Sequence, residues 1–273
     1  MDARLKDAGG KAAPISDVAP ILQQAVVATE DERFYRHHGI DLIGVLRALP
    51  YDLVHLSLAQ GASTITEQVA KLLYLQGNDH TPWRKLEDAA VALKLEDRYS
   101  KEQILDAYLN SAYFGEGAYG VWAASERYFG LPPRRLDVAQ ATLLAGLIQA
   151  PSAYDPLRHP LLARDRQIDV LRSLVRNGSL TQAEAAATLG RPLRLRAGSA
   201  LPAVRGIDLA PGPAFIWWQL ALGATLALIG GALLLLSRRP RLRPVRALLV
   251  VRALAILAVV LGLAEVVRSF RSA

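Results

Sequence analysis

The chain has no cysteine among its 273 residues. That removes any disulfide framework and any thiolate metal site, and it is compatible with every compartment. Internal repeats, low-complexity tracts and nucleic-acid motifs are also missing, and no basic groove is interleaved with aromatics. Nucleic acid is therefore not the partner implied by the net charge of +7. Residues 1–15 hold no apolar core of the kind an export signal needs.

What is present is apolar. Hydrophobic residues make up 52% of the chain, enough for one sizeable core and further apolar segments. The run 214–236 carries no charge and is long enough to cross a bilayer as a helix, which takes about 20 residues. Trp217 and Trp218 stand near one end, where an interfacial belt would lie. Arg238, Arg239, Arg241, Arg243 and Arg246 crowd the other end and mark it as cytoplasmic by the positive-inside rule. Residues before Ala214 are then expected outside, which calls for an anchor upstream of the chain; an inverted topology is the less favoured alternative. A second run, 247–264, is interrupted by Arg252 and is expected to span the membrane or lie at its surface. Residues 201–213 read as a Pro/Gly linker. Residues 16–200 read as one mainly helical domain behind a tail, 1–15.

Within that domain a first helix is expected from Asp17 to His37, with Ser16 as N-cap and Gly39 near its end. Val18, Ile21, Leu22, Ala25, Val26 and Phe34 follow the 3.6-residue period. Glu30 lies on the same face, where partial desolvation raises a carboxyl's pKa and makes it a better base. Pairing with a buried arginine is an equal alternative. His37 is expected to serve the helix end rather than catalysis. A second helix opens after Gly61-Ala62-Ser63-Thr64, with Thr64 and Glu67 in capping-box spacing. Free N–H groups at a helix start also bind anions, so Ser63, Thr64, Gln68 and Lys71 are candidate phosphate ligands.

A third helix is expected from Pro82, capped by Thr81. Leu86, Ala89, Ala90 and Leu93 form a stripe widened by Val91, Ala92 and Leu95, so this helix should cross the core. Asp88 heads the row Val91, Ala92, Leu95, Tyr99 and is a second carboxylate on a face expected to be buried. Arg84, one turn earlier, is its natural ion-pair partner. Ser100/Gln103 and Thr181/Glu184 repeat the capping-box spacing. Phe114-Gly115-Glu116-Gly117 reads as a phosphate loop or, more often, a tight helix connection. Further helices are expected over Val121–Phe129, from Leu136 to Gln149, and from Pro160 to Arg176.

Glu30-Asp31 with Phe34, His37 and Gly39 resembles the first motif of glycosyltransferase family 51. That is the peptidoglycan polymerase domain of class A penicillin-binding proteins and monofunctional transglycosylases. Gly61, Ser63-Thr64-Ile65-Thr66, Gln68 and Lys71 resemble its second motif, and Arg84-Lys85 its third. Lys101, Tyr108-Leu109-Asn110, Gly115, Gly117, Tyr128-Phe129-Gly130, Leu144-Ala145-Gly146, Pro151, Tyr154 and Pro156 continue the match over roughly 15–189. The resemblance implies a mainly α, lysozyme-like glycosyltransferase fold with an apolar lobe, here 46–58, that dips into the membrane. The C-terminal membrane segments are not part of the family pattern.

The implied reaction polymerises lipid II into glycan strands with inversion, releasing undecaprenyl pyrophosphate. Glu30 matches the general base, with Asp88 as second catalytic carboxylate. Lys71 and Arg47 match cations of the pyrophosphate pocket, lined also by Gln68, Ser63 and Thr64, with Arg84 and Lys85 beside it. No cofactor is required. A divalent metal near the carboxylates stays open, although no residues have clear metal-ligand spacing. Implied partners are lipid II, the growing glycan strand, the membrane and wall-synthesis proteins. The implied location is the outer face of a bacterial cytoplasmic membrane.

The sequence departs from the family at Asp88, where a glutamate is usual, and at Glu67 and Gln140, where glutamine and glutamate are usual. Asp88 is one methylene short, and a misplacement of about 1 Å can cost on the order of 100-fold in rate. A non-catalytic lipid II-binding relative and a lysozyme-like glycan-cleaving enzyme are the alternatives. Lys71 argues against the latter, which has no pyrophosphate to bind.

Overall fold

A computed structural model describes residues 11–44, 63–74, 82–207 and 209. A boundary between two units of the chain falls after Leu209, so every described residue belongs to the first unit. Arg47, the apolar segment 46–58, the arginine cluster and the runs 214–236 and 247–264 lie outside the described residues. Among those described, no helix is long and apolar enough to cross a membrane.

The domain is mainly helical. Its α-helices are α1 (Pro20–Glu30), α2 (Ile65–Leu73), α3 (Pro82–Glu96), α4 (Lys101–Ser111), α5 (Gly120–Phe129), α6 (Val138–Leu147), α7 (Pro160–Arg176) and α8 (Gln182–Leu189). The two-residue strands β1 (Leu193–Arg194) and β2 (Ala200–Leu201) pair antiparallel. The capping boxes at Thr64, Ser100 and Thr181 form as the sequence implies, and Asp137 with Gln140 adds another. Gln140 thus has a structural task at the start of α6. Gly130 and Gly178, both at positive φ, follow α5 and α7, matching their expected ends.

The first helix differs from expectation at both ends. It starts at Pro20, after a 3₁₀ turn at Ile15–Asp17. The residue before a proline is pushed out of the helical region, and Ala19 adopts φ −52°, ψ 130°. It stops at Glu30 because Asp31 turns away at φ −158°, ψ 75°. Phe34–Arg36 is a separate 3₁₀ turn, so His37 is not a helix-end residue of α1.

The helix that crosses the core is α6, not α3. Seven consecutive residues, Ala141 to Leu147, are buried, as befits a helix apolar on every side. Helices α1 and α7 both pack on it, and α2 packs between α3 and α4. On α3 the expected stripe faces outward: Leu86 is 60% and Leu93 40% exposed. The buried row is Asp88, Ala92 and Leu95, because that side meets α2 and α4; Tyr99, expected to continue it, lies beyond the end of α3 and is exposed.

The domain takes in residues on both flanks of 16–200. Ala13 is buried and exchanges two backbone hydrogen bonds with the Asn110 side chain, both 2.9 Å. Leu201 and Leu209 are buried, so the start of the expected linker packs onto the domain. The Arg164 guanidinium, also buried, donates to Arg191 O at 2.8 Å and Pro202 O at 2.7 Å. It thereby holds the β1–β2 segment against α7.

Candidate active site

Glu30 ends α1 with its carboxylate partly covered. Its hydrogen-bond partner is Gln68 of α2, whose Nε2 donates to Oε2 at 3.1 Å. The Gln68 carbonyl in turn accepts from the Tyr108 hydroxyl of α4 at 2.8 Å. Burial pushes the Glu30 carboxyl above the ordinary range. The Gln68 hydrogen bond and the Arg166 guanidinium of α7 partly oppose that rise, and the Asp31 charge adds to it. Arg166 acts on Glu30 through its field while its own Nε faces Gly146 O at 3.4 Å. A carboxyl raised by desolvation keeps more proton affinity, which a general base needs.

Asp31 has a different task. Its Oδ2 accepts from Ile65 N at 3.0 Å, and its carboxylate meets His37 Nε2 at 2.9 Å. His37 is therefore a buried prop for Asp31. Thr64, the N-cap of α2, accepts from Glu67 N at 3.1 Å and donates to Gly39 O at 2.6 Å. The Glu67 carboxylate accepts from Thr64 N at 2.7 Å, so its charge is spent on the cap. The start of α2 is consequently not a free anion site: its Ile65, Thr64 and Glu67 N–H groups are held by the protein's own side chains.

The cations form a second group. Lys71 Nζ stands 3.3 Å from Asp88 Oδ2 and remains 42% exposed. Arg84 Nε stands 3.6 Å from Asp88 Oδ1, an ion-pair distance rather than a hydrogen bond. Asp88 Oδ1 is buried without a hydrogen-bond partner. Lys85 Nζ reaches Ser63 Oγ at 3.5 Å. Asp88 thus sits behind Lys71 and Arg84, holding both cations on one side of α2 and α3. Of the nine expected site residues, eight are described: Glu30 and Gln68 form one group, Lys71, Asp88, Arg84, Lys85 and Ser63 a second, and Thr64 caps α2.

The glycine-rich turn is a connection. Phe114 N donates to Ala118 O and Ala118 N to Gly115 O, at 2.9 and 2.8 Å, which closes the turn between α4 and α5. Among the described residues no group of three or more His, Asp or Glu is arranged to hold a metal ion. Sequence reasoning gave no role to Tyr108 or Arg166. The signal for Tyr108 was its place on the buried row Ile104, Leu105, Tyr108, Leu109, since a buried phenol seeks a hydrogen-bond partner.

A mainly helical domain with a sheltered carboxylate and a cationic flank suits an enzyme of group transfer. Comparison with known proteins makes the class specific. The profile of the family described as Transglycosylase matches residues 3–175. A Cupriavidus necator protein whose name describes a transglycosylase is 45% identical over 183 residues, covering 67% of this chain and 78% of that one. Penicillin-binding protein 2D of Bacillus subtilis is 42% identical over 180 residues, and penicillin-binding protein 1A of Neisseria lactamica 44% over 167. The matches cover 66% and 61% of this chain but only 26% and 21% of those proteins. The chain belongs to the transglycosylase family and is a glycosyltransferase.

Proposed function

We propose that the domain polymerises lipid II into peptidoglycan glycan strands. The observation that carries this reading is that α2 serves both groups: its Gln68 holds the half-buried Glu30 at the end of α1, and its Lys71, paired with the buried Asp88, is presented to solvent. Glu30 takes the proton from the 4-hydroxyl of the acceptor sugar. That oxygen bonds to C1 of the donor, inverting the centre. The C1–oxygen bond to the pyrophosphate breaks, and its electron pair leaves on undecaprenyl pyrophosphate. Lys71 and Arg84 stabilise the charge gathering there, where fixed cations act without reorganisation. Lys85 and Ser63 extend that wall. Asp88 acts through the cations it holds. Thr64 shapes the wall as a cap, and Gln68 serves Glu30.

This chemistry asks for a lysozyme-like cleft and a lipid-bearing substrate. It fits a domain on the outer face of a bacterial cytoplasmic membrane, followed by a spanning helix at 214–236 and a second segment at 247–264. The test is incubation of the detergent-solubilised chain with labelled lipid II and, separately, with mature wall, and separation of products by size. A ladder of longer glycans supports the polymerase. Binding without a ladder would instead favour a non-catalytic relative, and fragments from mature wall a cleaving enzyme.

A further inference from the structure

Tyr108 is fully buried in α4, yet its hydroxyl is committed to a side chain that serves the proposed base. The two ends of the Gln68 amide are alike in size, so their partners decide which end faces Glu30. An ionised carboxylate accepts only from the NH₂ end. The oxygen end must then find a donor in buried surroundings or lose its hydrogen bond, which is costly. The Tyr108 hydroxyl is that donor, at 2.8 Å.

We infer that Tyr108 is a positioning residue for glycosyl transfer: by donating to Gln68 Oε1 it keeps the amide NH₂ turned to Glu30. This rests on the reading of Glu30 as the base. Tyr108 acts at second hand, through Gln68. The charged groups acting on Glu30 are Asp31, next in the chain, and Arg166 from α7. Helix α6 packs on α1 and contains no titratable residue over Val138–Leu147. The amide is therefore the neutral element by which the neighbouring helices set the state of the carboxyl. With it correctly turned, the ionised base is stabilised until the acceptor hydroxyl arrives. With it reversed, a carbonyl would face a carboxylate.

The test is Tyr108→Phe, which keeps the ring and removes the hydroxyl, in the full chain in detergent. The first readout is the titration of Glu30, followed by carbon-13 NMR of carboxyl-labelled glutamates and assigned by the signal lost in Glu30→Gln. The midpoint should rise on the order of one pH unit. Gln68→Met should give a similar rise, and the double variant no more than either, because both act through one chain of bonds. The second readout is turnover. On the acid limb of its pH profile kcat should fall about tenfold with KM unchanged, that limb moving to higher pH with the titration. An unmoved midpoint in Tyr108→Phe, or additive rises in the double variant, would overturn the inference and leave Tyr108 a packing residue that affects only the unfolding temperature. A wild-type chain without turnover would instead sink the polymerase reading, while the titration still decides whether Tyr108 sets the state of Glu30.

Discussion

The Asp31 carboxylate accepts a hydrogen bond from the backbone N–H of Ile65, 34 residues away, at 3.0 Å. It thereby fastens the end of α1 to the first turn of α2. A carboxylate is favoured at a helix N-terminus by the free N–H groups and the macrodipole. Glu30 and Asp31 are neighbours with opposite assignments: one closes a helix joint, the other faces Gln68 across it. The joint also explains why α1 cannot continue, since Asp31 must leave the helix to reach α2.

Glu30→Gln keeps shape and one acceptor for Gln68 but cannot take a proton. Polymerisation should fall on the order of 10²- to 10⁴-fold, with lipid II binding intact. Paired rate and binding measurements check this. Retained turnover would remove Glu30 as the base.

The raised Glu30 pKa has a cost in stability. Between the unfolded value near 4.5 and the higher folded one, the folded state binds more protons, so stability falls as pH rises through that window. Glu30→Gln should therefore unfold at a higher temperature than the wild type at neutral pH, with the gain vanishing below about pH 4.5. In the same window wild-type turnover should rise with pH. Calorimetry of both proteins across pH decides it.

Asp88 Oδ1 stops 3.6 Å short of Arg84 Nε and has no hydrogen-bond partner. Asp88→Glu adds a methylene that can close that gap, so activity should equal or exceed the wild type. Asp88→Ala removes the carboxylate that Lys71 and Arg84 share and should lose on the order of 100-fold. Initial rates of both variants are the check; a large loss in Asp88→Glu would mean a site built around aspartate.

Much of this was legible in the sequence because it is written locally. Capping boxes, terminal glycines and the proline start of α3 depend on residues within one turn. The burial of Asp88 followed from its row on the helix. What was not legible depends on long-range partners. Nothing local says that Asp31 will cap a helix 34 residues on, so the helix through His37 looked continuous. The face of α3 was misjudged because Leu86 and Leu93 are apolar yet lie away from α2 and α4. Gln68 and Thr64 belonged to the site by position, but their polar atoms are occupied by Glu30, Tyr108, Gly39 and Glu67.

Thr64 carries a cap with two reciprocal bonds. Thr64→Ala should cost about 1–2 kcal/mol. Denaturant unfolding measures the loss, and amide exchange should place it in the first turn of α2.

Gly39 has φ +76°, and a Cβ there would meet Leu93 N at 3.0 Å and Ala92 C and O at 3.1 Å. Backbone cannot swing aside as a side chain can. Gly39→Ala should therefore destabilise the domain by about 1–3 kcal/mol, read as a lower denaturation midpoint with unchanged slope.

Arg164 gives the domain a second, longer measure of its own length. The family match ends at residue 175, but this arginine's guanidinium is answered by carbonyls at 191 and 202. A fragment cut where the match ends would keep Gln167 Oε1 as an acceptor but discard the other two carbonyls and the segment that covers the guanidinium. Recombinant work that trims the chain to its recognisable motifs would thus remove the latch that closes α7, and the smallest piece expected to stand alone runs to Leu209.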